Sequence, residues 1–219
     1  AGDERPANPT VPAVTVESWN GSAWTETTEM NTGTAEGYGA GISNAAIISA
    51  GGRITPYPTT TNQVESWNGS SWSEETSMTN AAVKRPIAGT STACLAINYH
   101  PGAENVEEFN GSSWTEVADT NTNKVGGAAV GSTTDALAFA GGAPVSTPKI
   151  NAETYNGSAW TEVADLSTAR DTIGYNAQAS NSLSGLGMGG YGGSPAGNMN
   201  VTEEWTIPKG LKTLASTNA

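Results

Sequence analysis

Short runs of alternating polar and apolar residues recur along the chain, and each is followed by a tight-turn signal. In the first run, 16–24, an extended strand would place Glu17 and Trp19 on the same side. Asn20 and Gly21 follow, and Asn-Gly between two β-rich runs is the strongest short-range hairpin signal because both residues tolerate positive φ. The pattern predicts a β-hairpin, and nowhere does a 3.6-residue period predict a helix.

The hairpin pattern is an internal repeat. Its copies are Val16–Trp24, Val64–Trp72, Val106–Trp114 and Ala152–Trp160, and a fifth copy begins at Val201 and departs after Trp205. The first aromatic residues lie at positions 19, 67, 109, 155 and 205, so the spacing is 42 to 50 residues. Repeats of this length are typical of propeller blades. Each hairpin also brings two aromatic residues opposite one another, which is a favourable cross-strand contact.

Between the hairpins lie two further strand candidates in each unit. The first is rich in Gly and Ala (37–43, 85–91, 125–132 and 172–179), and the second is small and apolar (45–50, 93–98, 136–140 and 183–188). Three of the four second runs end in Gly-Gly. Small residues suit strands that crowd around a central axis. Segments rich in Pro, Thr, Ser or Gly, such as 53–62 and 143–149, are predicted to be loops. The sequence therefore predicts four strands per unit.

These features resemble the kelch superfamily over residues 14–206. The resemblance rests on the Gly-Gly that closes the second strand, the aromatic residue in the third strand and the Trp that opens the fourth strand after a short turn. It implies an all-β fold, a small β-propeller of four-stranded antiparallel blades. The Asn-Gly-Ser-x-Trp form is also similar to kelch-type repeats of phage and viral structural proteins, in tails or fibres.

The number of blades does not follow simply from the repeat. Four inner strand pairs accompany five outer segments, so we expect about five blades, one of them incomplete or completed by the chain ends. The hairpin at 15–28 has no inner pair before it, and 211–216 is predicted to be the fourth strand of the last blade. The domain prediction is an extended N-terminal arm at 1–13, a propeller at 14–216 and a C-terminal tail at 217–219.

Charge and composition narrow the classes of partner and chemistry. Nine Lys and Arg against 21 acidic residues give a net charge of −12, which argues against nucleic acid and anionic membranes as partners. No apolar stretch approaches the ~20 residues needed to span a bilayer, so no membrane insertion is expected. The single cysteine, Cys94, allows no intramolecular disulfide and is predicted to be buried and inert. One histidine, His100, and one cysteine cannot form the usual zinc sets. We therefore expect no metal, no cofactor, no catalytic residue and no enzyme activity.

Two repeated positions are the candidate ligand-binding residues. One is an acid two positions before the first aromatic residue, and the other is that aromatic residue. A ring of carboxylates could bind cations or a sugar, and aromatic rings could stack on sugars; alternatively, the acids accept N–H bonds from a Gly-Gly turn and the aromatic rings fill the space between blades. The set comprises Glu17, Glu65, Glu107, Glu153 and Glu203 with Trp19, Trp67, Phe109, Tyr155 and Trp205.

Taken together, the sequence predicts a non-catalytic structural or binding module. Its expected partners are other protein subunits, in a homo-oligomer or larger assembly, and the expected location is a virion or the extracellular space. The phage-type resemblance implies a tail, fibre or decoration component for assembly or receptor binding. The alternative is a secreted lectin-like propeller that binds a cell-surface glycan through irregular loops at 53–62, 143–149 and 191–199.

Overall fold

The computed structural model describes residues 12–43, 46–56, 58–99, 103–142, 148–171, 182–192 and 197–206. Over these ranges the chain forms strands and turns and no helix. A membrane-crossing helix is accordingly not found among them.

The chain begins with an isolated antiparallel pair, called hairpin A, made of β1 (Glu17–Trp19) and β2 (Trp24–Glu26). Trp19 is paired with Trp24 across the Asn-Gly turn, as the alternating pattern predicted. No third strand among the described residues adds to this pair. Hairpin A therefore corresponds to the two outer strands of a blade.

Three four-stranded antiparallel sheets follow in chain order, and within each sheet every strand pairs with the next one along the chain. Sheet 1 consists of β3 (Tyr38–Ser43), β4 (Ala46–Ile54), β5 (Thr59–Trp67) and β6 (Trp72–Glu75). Sheet 2 consists of β7 (Ile87–Gly89), β8 (Cys94–Tyr99), β9 (Ala103–Phe109) and β10 (Trp114–Val117). Sheet 3 consists of β11 (Ala128–Gly131), β12 (Ala136–Phe139), β13 (Ala152–Tyr155) and β14 (Trp160–Glu162).

The last repeat is described in part. Its second and third strands, β16 (Ser184–Met188) and β19 (Thr202–Thr206), pair with each other and are called sheet 4. Beside them β15 (Arg170–Asp171), β17 (Tyr191–Gly192) and β18 (Gly197–Asn198) form a small three-stranded sheet. The predicted first strand at 172–179 and the predicted fourth strand at 211–216 lie outside the described residues, as do 1–11 of the predicted arm, the 217–219 tail and His100.

The sheets fan around one axis. The first strands β3, β7 and β11 contact one another from sheet to sheet, so they are the innermost strands. A hydrophobic cluster fills each gap between neighbouring sheets. Ile48 of sheet 1 packs with Phe109 of sheet 2, Leu95 of sheet 2 with Tyr155 of sheet 3, and Leu137 of sheet 3 with Trp205 of sheet 4. The architecture is the small β-propeller that the repeat predicted.

Through Gly-Gly pairs, backbone hydrogen bonds near the axis tie sheet 1 to the connection that leads into sheet 2, and sheet 3 to β15 ahead of sheet 4. Gly52 donates its N–H to the carbonyl of Ala82, 2.7 Å away, and Gly141 donates to the carbonyl of Arg170, 3.0 Å away. Gly141 has a φ of +80°, in the left-handed region that favours glycine. The Gly-Gly pairs therefore allow the close approach between neighbouring sheets.

Two segments predicted to be irregular contain strands. β4 continues to Ile54 and β5 starts at Thr59, so most of 53–62 is a paired hairpin in which Arg53 lies opposite Thr60. Threonines 59–61 are β-branched, and such residues favour strands when a partner strand is available. Segment 191–199 likewise contains β17 and β18. Of the loop predicted at 143–149, residues 143–147 lie outside the description.

Cys94 is buried within the cluster between sheets 1 and 2, as predicted. Burial raises the pKa of its thiol to about 12, with a further contribution from the Glu108 carboxylate. Because the thiolate is the reactive form, the side chain serves as a small core residue.

Candidate functional site

The two aromatic residues of each hairpin face each other across the turn. Their ring centroids lie 5.5 Å apart in Trp19–Trp24 and Trp67–Trp72, 5.0 Å in Phe109–Trp114 and 4.9 Å in Tyr155–Trp160. Such tilted pairs add to the free energy gained by burying the rings. The sequence prediction of paired aromatic residues is thus confirmed.

The second aromatic residue of a hairpin also contacts the preceding sheet. Its indole N–H donates to a backbone carbonyl just beyond the outer strand before it. The pairs are Trp72 to Thr28 at 3.2 Å, Trp114 to Thr76 at 2.9 Å and Trp160 to Ala118 at 3.0 Å. Each hairpin is therefore held to the previous repeat by a polar contact as well as by packing.

Burial separates the first hairpin from the others. Phe109 and Tyr155 expose at most 3% of their surface and Trp67 exposes 7%, whereas Trp19 exposes 47%. Trp24, its partner, exposes 64%. The first aromatic residues of sheets 1 to 3 therefore fill space between repeats, while Trp19 and Trp24 of hairpin A face solvent.

The repeated glutamates of sheets 1 to 4 bind the connection that leads into their own sheet. Glu153 is the fullest example: it accepts the N–H groups of Asn121 at 2.7 Å and Thr122 at 2.9 Å, and its Oε1 lies 2.7 Å from the Nζ of Lys124. Both charged side chains are fully buried. A buried carboxylate is tolerated when hydrogen bonds and a cation compensate its lost hydration.

Two other repeats have the same arrangement with arginine as the cation. Glu107 accepts the N–H of Thr79 at 2.7 Å and pairs with Arg85 at 2.9 Å. Glu203 accepts the N–H of Ser167 at 2.6 Å and pairs with Arg170. The contacts in sheets 2, 3 and 4 therefore form one recurring structural unit.

Glu65 of sheet 1 is the exception in charge balance. It accepts the N–H groups of Asn31 and Thr32 and the Asn31 side-chain amide at 2.8 to 3.0 Å, yet none of the cations described in the structure forms an ion pair with it. Glu17, the equivalent residue of hairpin A, is exposed.

The donors to these carboxylates differ from the structural interpretation of the sequence. That interpretation gave the N–H groups to a Gly-Gly turn, but the donors lie in the connection between one sheet and the next. The connection crosses the top of the Glu-bearing strand, while the Gly-Gly N–H groups bond to other carbonyls nearer the axis. Ligand binding by the ten candidate residues stays a prediction.

The cations Arg85, Lys124 and Arg170 were not identified from the sequence. A signal was available, because the chain has only nine Lys and Arg, two of these three lie in the connections that precede sheets 2 and 3, and Arg170 begins β15 ahead of sheet 4. Lys124 and Arg170 each lie 10 residues after the Trp of the preceding hairpin, whereas Arg85 lies 13 residues after it, so the repeat aligns two of the three cations.

Burial and hydrogen bonding act in opposite directions on these groups. Burial opposes ionisation of Glu153, but the hydrogen bonds from Lys124 and from the Asn121 backbone outweigh it and hold the pKa of Glu153 below its ordinary value. The pKa values of Glu107 and Glu203 are likewise lowered against the effect of burial, chiefly by Arg85 and by the Ser167 N–H, respectively. Burial also lowers the pKa of Lys124, in part offset by Glu153.

We expect these carboxylates to make the fold sensitive to acid. Their folded pKa values lie below the unfolded value of about 4.3, so the unfolded chain binds more protons as the pH falls. The free energy of unfolding should therefore be highest above pH 4.3 and decrease as the pH falls through the folded pKa values. Urea denaturation from pH 6 to pH 2.5 measures the slope.

The matched variants for this experiment are Glu153→Gln and Glu74→Gln, the latter at an exposed position. Glu153→Gln should flatten the acid slope and Glu74→Gln should leave it unchanged. Equal slopes for both variants would contradict the role given to the buried carboxylate.

A cleft lies between hairpin A and sheet 1. It measures about 400 Å³ and is lined by Glu17, Ser18, Trp19, Trp24, Ile47, Trp67 and Trp72, among others. In sheets 1 to 3, two inner strands lie beside the third strand, whereas no described strand pairs with the inner edge of β1. The cleft therefore combines indole surfaces with the exposed Glu17 carboxylate.

The described part of the chain contains no group of three or more His, Cys, Asp and Glu side chains that could hold a metal ion. The paired acids and bases of sheets 2 to 4 are engaged with one another and with backbone N–H groups. At the repeated acid position and the first aromatic position, the exposed side chains among the described residues are Glu17 and Trp19 of hairpin A.

Comparison with known proteins supports the architecture. No family model matches the chain, and no curated protein matches it. A solved structure described as "Structure of YjhT" is similar with a TM-score of 0.71 over 90% of this chain and 74% of that chain, at 12% sequence identity. At this identity the similarity shows the fold alone: the chain has the architecture of a small β-propeller built from four-stranded antiparallel blades.

Proposed function

We propose that the chain is a non-catalytic structural or binding module, a kelch-like propeller that serves assembly or receptor binding. The observation that carries this proposal is the contrast between the repeats. Glu65, Glu107, Glu153 and Glu203 are used inside the fold, whereas Trp19 and Trp24 of hairpin A face solvent. The scaffold is regular, and its irregular first repeat offers the surface for a partner.

The chemistry of the surface favours protein partners. A net charge of −12 repels nucleic acid and anionic membranes, and it keeps a free chain soluble. Exposed tryptophans are enriched where proteins bind partners because they bury much surface at little entropic cost. The Asn-Gly-Ser-x-Trp repeat resembles repeats of phage and viral structural proteins. It supports a location on a virion or outside the cell, as a tail, fibre or decoration component of a phage or virus-like particle.

The size of the purified full-length chain tests the assembly function. We expect light scattering to show association that grows with concentration, and deletion of residues 1–13 to alter it if the arm takes part. A full chain and a deleted chain that are both monomeric up to 1 mM would refute assembly.

The cleft favours a second candidate, a lectin-like site. Sugar rings stack their C–H faces on indoles, and the Glu17 carboxylate and Ser18 hydroxyl are suited to accept and donate hydrogen bonds to sugar hydroxyls. Titration with a panel of neutral oligosaccharides should change the tryptophan fluorescence of the full chain. Trp19→Ala should remove the response, while Trp160→Phe, at a buried side chain, should keep it. A panel without any response would refute this candidate.

A further inference from the structure

The contact between neighbouring sheets has two distinct halves. One half is formed by apolar side chains of the second strand, and the other by the aromatic pair of the following hairpin. Leu95 and Ile97 of sheet 2 pack with Tyr155 and Trp160 of sheet 3 in this way. The same contact occurs between sheets 1 and 2, and between sheets 3 and 4 the aromatic half is formed by Trp205.

Strand register identifies the equivalent residues in the last sheet. Leu95 lies opposite Glu108, the residue before the first aromatic residue, and Leu186 lies opposite Glu204 in the same relation to Trp205. Met188, two residues on, is the equivalent of Ile97. Leu95 and Ile97 are fully buried, whereas Leu186 exposes 42% and Met188 exposes 45% of its surface. Sheet 4 therefore presents the second-strand half of the contact without its complement.

Hairpin A presents the other half. Trp19 and Trp24 occupy the register positions of Tyr155 and Trp160, since each pair lies opposite across its turn. Trp160 exposes 7% of its surface, whereas Trp24 exposes 64%. The two unmatched halves lie at opposite ends of the described chain, and within one chain neither covers the other.

We infer that these halves meet between two copies of the chain. The Trp19–Trp24 pair of one copy packs on Leu186 and Met188 of a second copy, and so continues from chain to chain the contact that joins sheets 1 to 4. The inference rests on the proposed assembly function and names its partner as the same chain. Because the two surfaces differ, the contact is head-to-tail and leaves one free surface at each end of a growing array.

Charge gives the sign of the salt dependence. Each copy carries a net charge of −12, and hairpin A adds Glu17 and Glu26 beside the tryptophans while sheet 4 adds Glu204 beside Leu186. Copies therefore repel one another at low ionic strength, and salt screens that repulsion. Association should strengthen between 50 mM and 500 mM NaCl, which is opposite to the behaviour of a contact held by ion pairs.

The experiment uses sedimentation velocity of the full chain and its variants. Trp24→Ser removes one half of the contact and Leu186→Glu the other, and each should weaken association at least about 10-fold, a loss expected of an aromatic or aliphatic anchor. Ile42→Glu is the matched control, since Ile42 exposes 74% of its surface, lies on neither half and gains the same charge. It should associate as the unmodified chain does.

Mixing the two variants gives the decisive result. Each retains one intact half, so an equimolar mixture should form a dimer that grows no further. An associating chain that is insensitive to both variants, or a mixture that stays monomeric, would overturn the head-to-tail contact while leaving assembly itself standing. The unmodified chain could instead stay monomeric at every concentration, with the double variant losing a different free energy of unfolding from the sum of the Trp24→Ser and Leu186→Glu losses. That result would show that the halves meet within one copy, and it would also overturn the inference.

Discussion

Replacement of Lys124 by methionine should lower the free energy of unfolding by about 3–5 kcal/mol, because it leaves a buried charge without its partner. The Nζ of Lys124 lies 2.7 Å from Glu153, and both side chains are fully buried between sheets. Methionine has nearly the same length and fills the space, so the loss reports the missing charge more than a cavity. Urea denaturation at pH 7 measures the change.

Two further variants separate the charge effect from other causes. Glu153→Gln in the Lys124→Met background removes the orphaned charge and keeps an oxygen for the Asn121 N–H, so it should recover part of the lost stability. Arg53→Met breaks the partly exposed pair with Glu36, whose side chains expose 20% and 22%, and should cost about 1 kcal/mol or less. Equal losses for Lys124→Met and Arg53→Met would contradict the assigned role.

Replacement of Gly141 by alanine should cost about 2–5 kcal/mol. A left-handed conformation costs a non-glycine residue about 1–2 kcal/mol, and overpacking adds about 1–3 kcal/mol. A Cβ on Gly141 would lie 2.5 Å from the carbonyl oxygen of Lys124 and 2.8 Å from the N of Gly127. These atoms belong to the connection between sheets, and backbone cannot move aside as a flexible side chain can.

Gly21→Ala is the control for this change. Gly21 has a φ of +98°, yet nothing lies within 4 Å of its would-be Cβ. The free energy of unfolding lost in Gly21→Ala should therefore be limited to the conformational cost of about 1–2 kcal/mol. Thermal or urea unfolding of both variants gives the comparison, and a Gly141→Ala loss no greater than that of Gly21→Ala would show that the crowding near the axis is relieved.

The sequence predicted those parts of the fold that depend on local pattern. The Asn-Gly turns fixed the hairpins and with them the pairing of Phe109 with Trp114, because turn type determines register. Runs of small apolar residues predicted the second strands, and β8 and β12 lie within one residue of the predicted bounds. The four-stranded unit followed from adding these local elements.

What the sequence did not reveal depends on neighbouring repeats. The pairing of Glu107 with Arg85 and of Glu153 with Lys124 joins residues from different segments whose spacing varies, so no fixed motif encodes it. The difference in exposure between Trp19 and Tyr155 is also invisible in the repeat, where both residues occupy the same position. The prediction of a loop at 59–61 rested on the prolines that precede these threonines, and it gave too little weight to the preference of threonine for strands.

Among the described residues hairpin A pairs with no inner strand, and this also bears on how the molecule opens. In an array of similar units, each unit is stabilised by its own strands and by its immediate neighbours. Hairpin A has two described strands and a single described neighbour, so its local opening costs less than that of sheet 2, which has four strands and a sheet on either side. Hairpin A, which carries the exposed tryptophans, therefore opens more readily than sheet 2, and its ordering can be coupled to the arrival of a partner.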